Sequence, residues 1–140
     1  MLANSPKRLP SVSATLNWQR RSTVIRIQYA TALNWLAMVF QRQGRYVDAE
    51  PLYKRSLAIQ EKALGPDHPN VAFDLNNLAG IYRDQGHYAE AEPLYTRSLS
   101  IRETALGRNH PEVAVTLGNI AMLYHAQGRY AEAGPLLKRS

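Results

Sequence analysis

Residues 44–85 read GRYVDAEPLYKRSLAIQEKALGPDHPNVAFDLNNLAGIYRDQ, and residues 86–127 read GHYAEAEPLYTRSLSIRETALGRNHPEVAVTLGNIAMLYHAQ. The two stretches are identical at 24 of 42 positions without a gap, and a third copy opens at Gly128 and continues to Ser140. A fixed period of this length is typical of solenoids, in which each unit buries its apolar face against its neighbours. Because such stacks usually act by presenting a surface, the repeat predicts a protein that binds a partner and does not catalyse a reaction.

Each unit is predicted to contain two helices. In the middle copy the first helix is expected over about residues 70–85, where the apolar side chains recur at the spacing of one helix face. These side chains are Leu75, Leu78, Ala79 and Tyr82. Pro69 suits the first helical position, and Gly86 suits the left-handed conformation that ends a helix. A second helix is expected over about residues 88–106. Nothing in the chain alternates at period two, so the predicted fold class is all-α.

A family resemblance rests on the run Leu-Ala-x-x-Tyr-x-x-x-Gly-x-Tyr-x-x-Ala at residues 78–91, which resembles the tetratricopeptide signature. That signature normally repeats at about 34 residues, and here the unit is longer, with the linker Leu-Gly-Pro-Asp-His-Pro at residues 64–69. With Leu-Asn-Asn-Leu-Ala at 75–79 and Ala-Glu-Pro-Leu-Tyr at 91–95, the units are similar to kinesin light chain repeats. The resemblance implies a helical-hairpin solenoid with a right-handed superhelix and about three units, the last one truncated.

The chain is predicted to divide into a basic N-terminal tail or degenerate helix at 1–28 and an array at 29–140. Helix pairs are expected at about 29–64, 70–106 and 112–140. Two interpretations of the stretch before the array stay open. The pair Arg21-Ser22 matches the Arg-Ser pairs of later second helices, which indicates a damaged helix of a preceding unit. Alternatively one helix runs from about Arg21 through Arg42, which the absence of Gly and Pro between Ser11 and Gln43 favours.

The positive charge belongs to the N-terminal part of the chain. The net charge is +6, yet residues 1–47 carry seven basic and no acidic side chains, whereas residues 48–140 carry 10 basic and 11 acidic ones. An acid-free, Arg- and Ser-containing start resembles an organelle transit peptide, but a flexible, solvated tail over residues 1–13 is preferred because the amphipathic pattern there is poor. Nucleic acid is not an expected partner, since the repeats offer no clustered basic face.

Composition indicates a small cytoplasmic domain. The chain has no cysteine, which excludes disulfides and thiolate metal sites, and no run of apolar residues long enough to span a membrane. No phosphate-binding loop or catalytic motif is present, so we expect no enzyme, no cofactor and no metal. His68 and His110 recur before Pro69 and Pro111, which favours a structural role such as capping. The periodic Ser56 and its copies are expected at a tight helix crossing.

The first helices of such units line the concave side, so their non-core faces form a predicted peptide-binding groove. The core of these helices includes Leu36, Leu78 and Ile120, while Gly80 is placed in the groove stripe. The groove residues are Asn34, Trp35, Met38, Arg42, Phe73, Asn76, Asn77, Arg83, Asn119, Met122 and His125. Amides can hold a peptide backbone, arginines can bind a carboxylate, and the apolar members can bury an anchor. We therefore expect a protein or peptide partner with acidic and aromatic or apolar residues.

The kinesin light chain resemblance implies a matching groove for peptides that pair a tryptophan with acids. Carried over by position, it implies roles for Asn77, Asn119, Met38, Met122 and Arg83. Trp35 stands where that pattern has an asparagine.

A second function stays open. The third copy reaches only Ser140, so Tyr130, Ala133, Leu136 and Leu137 are expected to expose part of an unpaired interface. Homo-oligomerisation through such uncapped ends would make the chain a structural, self-associating segment of a larger protein with no dedicated peptide ligand.

Overall fold

The computed structural model describes residues 11–140, which form six α-helices and no β-strand. The helices are α1 Val12–Arg42, α2 Tyr46–Leu64, α3 Pro69–Asp84, α4 Tyr88–Leu106, α5 Pro111–Ala126 and α6 Tyr130–Arg139. Consecutive helices pack in pairs, α1 on α2, α3 on α4 and α5 on α6, and the pairs stack through the contacts of α2 with α3 and of α4 with α5. The prediction of an all-α helical-hairpin solenoid is confirmed.

The long linkers are closed by the same two devices in both copies. Gly65 and Gly107 end α2 and α4 with φ angles of 91° and 88°, a conformation that a side chain would penalise. His68 then caps α3, because its Nδ1 accepts a hydrogen bond from the backbone N–H of Asn70 at 3.0 Å. His110 caps α5 in the same way. The structural role predicted for these histidines is confirmed, and it explains why they recur at the period.

Helix α1 is longer than the other helices, and it continues without a break across residue 29, where the array was predicted to begin. Ser11 caps it, since the Ser11 hydroxyl accepts from the Ala14 N–H at 3.1 Å, and the helix continues to Arg42. Of the two interpretations, the structure therefore has the continuous helix. This helix begins at Val12, nine residues before the predicted start at Arg21. Most of the flexible tail predicted over residues 1–13, namely residues 1–10, lies outside the described part of the chain. Its last three residues form the N-cap and the first turn of α1.

The two helices of a unit cross closely at small residues. Ser56 on α2 is fully buried, and its hydroxyl lies 3.1 Å from the backbone carbonyl of Ala30 on α1, which shares the single hydroxyl proton with a second acceptor on α3. One period later the Ser98 hydroxyl donates to the carbonyl of Ala72 at 2.7 Å. A larger side chain would push the helices apart, so the crossing predicted for these serines is confirmed for both pairs. Ser140 differs, since its hydroxyl bonds to Leu137 of its own helix.

One core assignment and one groove assignment were wrong, and for opposite reasons. Leu36 is 45% exposed, whereas its period mates Leu78 and Ile120 are 4% and 3% exposed. Leu78 and Ile120 are buried because α3 and α5 lie on a preceding second helix, and no described helix lies in that position against α1. Gly80, placed in the groove stripe, is instead buried: a Cβ there would meet side-chain atoms of Gln41 and Tyr95, each at 3.7 Å.

Candidate functional site

One side of the first helices keeps large apolar side chains in solvent. Trp35 on α1 is 64% exposed, and Phe73 on α3 and Met122 on α5 are also exposed. The same helices bury their other faces, with Leu33, Leu75 and Leu117 in the core. Single exposed apolar residues are common, but a set that follows corresponding faces of three stacked helices is typical of an interaction surface.

A pocket of about 300 Å³ opens on this surface between α1 and α3. It is lined by Thr31, Asn34, Trp35, Met38, Gln60, Asn70, Phe73 and Asp74. Trp35 and Phe73 are its exposed aromatic members, and Met38 is half-buried. The structure thus brings four predicted groove residues to one place: Asn34, Trp35, Met38 and Phe73.

Asp74, which the sequence analysis missed, is a fully buried carboxylate among the pocket residues. The Asn34 amide donates to its Oδ1, and the Ser56 hydroxyl donates to its Oδ2 at 2.9 Å. Burial raises the pKa of Asp74 to about 6, and these two hydrogen bonds oppose that rise. A signal was present in the sequence: Asp74 interrupts the repeat, since the corresponding residues of the neighbouring units are Ala32 and Thr116.

The amides of the predicted groove are largely committed to the protein itself. Asn34 is only 5% exposed and its amide nitrogen is bonded to Asp74, so its placement as a free groove residue needs correction. The Asn119 amide nitrogen donates to the Asn76 side-chain oxygen at 3.1 Å, which joins α5 to α3. Asn77 is half-buried, and its amide nitrogen is enclosed without a hydrogen-bond partner.

The arginines and the histidine of the predicted groove lie at the C-terminal ends of the first helices and do not line the pocket. Arg42 is exposed in the last turn of α1. Arg83 is half-buried and pairs with the adjacent Asp84 at 3.2 Å. His125 is exposed, and its ring packs edge-on against Tyr130 with the ring centroids 4.9 Å apart. A buried carboxylate thus lies in the N-terminal half of α3, and Arg83 lies with its acidic partner Asp84 at the C-terminal end of the same helix.

Neither a metal-binding cluster nor a membrane-spanning helix occurs among residues 11–140. Residues 11–140 contain no group of three or more His, Cys, Asp or Glu side chains placed to hold a metal ion. None of the described helices is both long and apolar enough to cross a membrane.

Comparison with known proteins places the fold in a family. The profile of the tetratricopeptide repeat family matches residues 28–104 and, overlapping these, residues 75–140. The structure is similar to BtubC (BKLC) from P. vanneervenii, with 28% identity over 79% of this chain and 44% of that one, at a TM-score of 0.73. It is also similar to kinesin light chain-type TPR-like repeats from Podosopora anserina, with 25% identity over 91% of this chain and 64% of that one, at a TM-score of 0.70.

Among curated proteins no match was found. The chain spans less than two thirds of the length of the similar structures. Repeats of this family generally mediate protein–protein interactions. The match covers most of the chain, and both similar structures share its stacked helical pairs, so the chain belongs to the tetratricopeptide repeat family and its repeats are of the kinesin light chain-like type.

Proposed function

We propose that the chain is a non-catalytic interaction scaffold that binds a peptide segment in the groove formed by α1, α3 and α5. The observation that carries the proposal is the exposure of Trp35, Phe73 and Met122 on corresponding sides of the three helices. Burying such side chains against a partner releases about 1.5–3 kcal/mol each, which is enough for a few of them to anchor a short peptide. Membership of the tetratricopeptide repeat family supports the proposal, because repeats of this family generally mediate protein–protein interactions.

The groove offers different chemistry along its length. Its apolar pocket suits an aliphatic or aromatic stem. Arg42 and His125 lie exposed at the C-terminal ends of α1 and α5, where an acidic residue of the peptide would meet them. Arg83 is less available because Asp84 already accepts from its guanidinium.

A display library of random twelve-residue peptides tests this proposal. Peptides selected on the wild-type chain should lose at least about tenfold in affinity on Trp35→Ala or Phe73→Ala, as expected for losing one buried aromatic contact. Ser100→Ala is the matched control, since Ser100 is exposed on α4, a second helix. Selected peptides that bind all three variants equally well would place the binding surface elsewhere and contradict the proposal.

A second candidate function is self-association, which the exposed face of α1 favours. Tyr29, Leu36 and Val39 are exposed, whereas the residues one period later are buried against α2. These later residues are Val71, Leu78 and Ile81. An α6 helix from a second copy would cover this face as α2 covers α3.

One further pair of positions fits such stacking. At the internal junctions a Tyr hydroxyl donates to a Glu of the preceding unit, from Tyr82 to Glu50 at 2.9 Å and from Tyr124 to Glu92 at 3.1 Å. The corresponding residues of the first and last described helices are Phe40 on α1 and Gly134 on α6, which lack the hydroxyl and the carboxylate acceptor. Stacking of α6 on α1 would therefore bury no unpaired tyrosine hydroxyl and no unpaired glutamate carboxylate at this position.

A further inference from the structure

We propose that the pocket between α1 and α3 binds a lysine or arginine side chain of the partner peptide. The cation would lie at Asp74, whose carboxylate is fully buried, so the Asn34 and Gln60 side chains would shift to admit it. The aliphatic stem would lie beside Trp35 and Phe73. The proposal rests on the proposed peptide-binding function and names one residue class of the ligand, beyond the acidic and apolar residues expected from the sequence.

Asp74 has only neutral hydrogen-bond donors around its carboxylate. Its carboxylate accepts only from the Asn34 amide and the Ser56 hydroxyl, both of which are neutral. No ion pair among residues 11–140 includes Asp74. Buried carboxylates are stabilised by a paired cation, and in its absence desolvation raises their pKa, as it does here.

The pocket also has more hydrogen-bond acceptors than donors among its buried side chains. Asn34 and Gln60, which line the pocket, are 5% and 3% exposed, and their side-chain oxygens are enclosed without a donor. The orientation of Asn34 is fixed because its nitrogen donates to the Asp74 carboxylate. An ammonium or guanidinium group brings donors only, so it satisfies acceptors that an acidic or amide-oxygen ligand would leave unpaired.

The next junction of the same molecule buries a guanidinium group at the corresponding place. One period after Gln60 and Asp74 the chain has Arg102 and Thr116. Arg102 is buried, and its guanidinium donates to the Thr116 hydroxyl at 2.6 Å and to the backbone carbonyl of Glu112 at 3.3 Å. The second junction thus holds a guanidinium supplied by the chain. The first junction has a carboxylate in place of the threonine and a shorter, neutral side chain in place of the arginine.

The aromatic members of the pocket suit the same ligand. Trp35 and Phe73 are exposed at the pocket between α1 and α3. The methylene stem of lysine or arginine packs well on apolar surfaces, and its charged head is attracted to aromatic faces within about 6 Å. An acidic side chain would be repelled by Asp74 in the same position, so the pocket selects by charge as well as by shape.

The test is a titration with the acetylated and amidated tripeptide Ala-Arg-Ala, followed by the NMR signal of the Trp35 indole N–H. The matched ligand replaces arginine by citrulline, which has nearly the same shape without the charge. We expect saturable shifts with the arginine peptide and at least about tenfold weaker binding of the citrulline peptide. Trp18→Phe identifies which indole signal belongs to Trp35, because the chain has two tryptophans.

Two variants connect the result to the pocket. Gln60→Arg supplies an internal guanidinium, so it should abolish binding of the arginine peptide. The double variant Gln60→Arg with Asp74→Thr reproduces the Arg102–Thr116 pair, should fold as the second junction does, and should also fail to bind. Equal affinity for the citrulline peptide, binding that survives in a folded Gln60→Arg variant, or no Trp35 shift at tens of millimolar peptide would each overturn the proposal.

The outcome is separable from that of the proposed function. Library peptides that bind the wild-type chain, weaken on Met122→Ala and contain no Lys or Arg would overturn this inference and leave groove binding intact. A library that yields no binder would count against groove binding, whereas the tripeptide titration would still decide whether the pocket recognises a cation.

Discussion

The buried carboxylate of Asp74 on α3 accepts a hydrogen bond from the hydroxyl of Ser56 on α2 at 2.9 Å, inside the junction between the first two units. The same Ser56 hydroxyl contacts the Ala30 carbonyl at 3.1 Å, so the helix crossing and the carboxylate share one polar group. Burial holds the pKa of Asp74 at about 6, above its model-compound value of 3.8. Stability of the fold is therefore linked to the protonation of this one side chain.

Asp74→Asn should remove a component of the pH dependence of stability. The folded state binds the Asp74 proton more tightly than the unfolded state, so the free energy of unfolding falls as the pH rises from about 4 to about 6, and the loss is constant above that window. A shift of this size corresponds to a loss on the order of 3 kcal/mol. The difference in unfolding free energy between Asp74→Asn and wild type should therefore move in favour of the variant as the pH rises through the same window.

Urea unfolding of both proteins from pH 4 to pH 7.5 measures this difference. Asp67→Asn, an exposed carboxyl in the linker, controls for the loss of one negative charge. Parallel stability curves for wild type and Asp74→Asn would show that Asp74 titrates alike in the folded and unfolded states.

The crossing serines should tolerate only small replacements. Ser98 is fully buried and donates to the Ala72 carbonyl at 2.7 Å, so Ser98→Ala should cost about 1 kcal/mol for the lost hydrogen bond. Ser98→Leu should cost more, by ~1–3 kcal/mol of overpacking, because the two helices leave no space for a branched side chain. The midpoint of urea unfolding reports both changes, and Ser100→Ala provides an exposed serine on the same helix. A leucine variant as stable as the alanine variant would contradict the tight crossing.

The sequence predicted those parts of the fold that depend on local, repeated signals. The bounds of α4 and the closed linker before α3 follow from the period together with glycine, proline and histidine at fixed places. Local signals do not show which other helices pack against a residue. Leu36 has the sequence environment of a core position, yet no described helix covers it, and Gly80 is buried by side chains from α1 and α4.

The candidate site was predictable in outline and not in its polar details. The apolar groove residues Trp35 and Phe73 follow from the helix faces, and their exposure agrees with that assignment. The bond between Asn34 and Asp74 joins residues 40 positions apart on different helices, and no period relates them. Whether Arg42, Arg83 and Asn119 contact a ligand stays a prediction.

Capping by the linker histidines should be measurable on its own. The Nδ1 of His110 accepts from the backbone N–H of Glu112 at 3.1 Å, and His110→Ala removes that acceptor. The expected cost is about 1 kcal/mol, while His110→Asp, which restores a capping oxygen, should recover most of it. Thermal unfolding compares the three proteins, and an alanine variant with unchanged stability would show that the cap contributes nothing to the folded state.

Self-association by stacking of α6 on α1 should depend on exposed apolar residues of both helices. Leu36 on α1 and Leu137 on α6 are exposed, and each is a position whose period mates are buried between helices. Light-scattering mass should then rise with protein concentration, because a head-to-tail contact leaves a free end on every added copy. Leu36→Glu and Leu137→Glu each place a charge in that contact and should each restore the monomer mass, whereas Thr104→Glu, at an exposed site on α4, should not. A mass that stays at one chain across the concentration range would exclude stacking under those conditions, leaving the groove of α1, α3 and α5 as the surface to pursue.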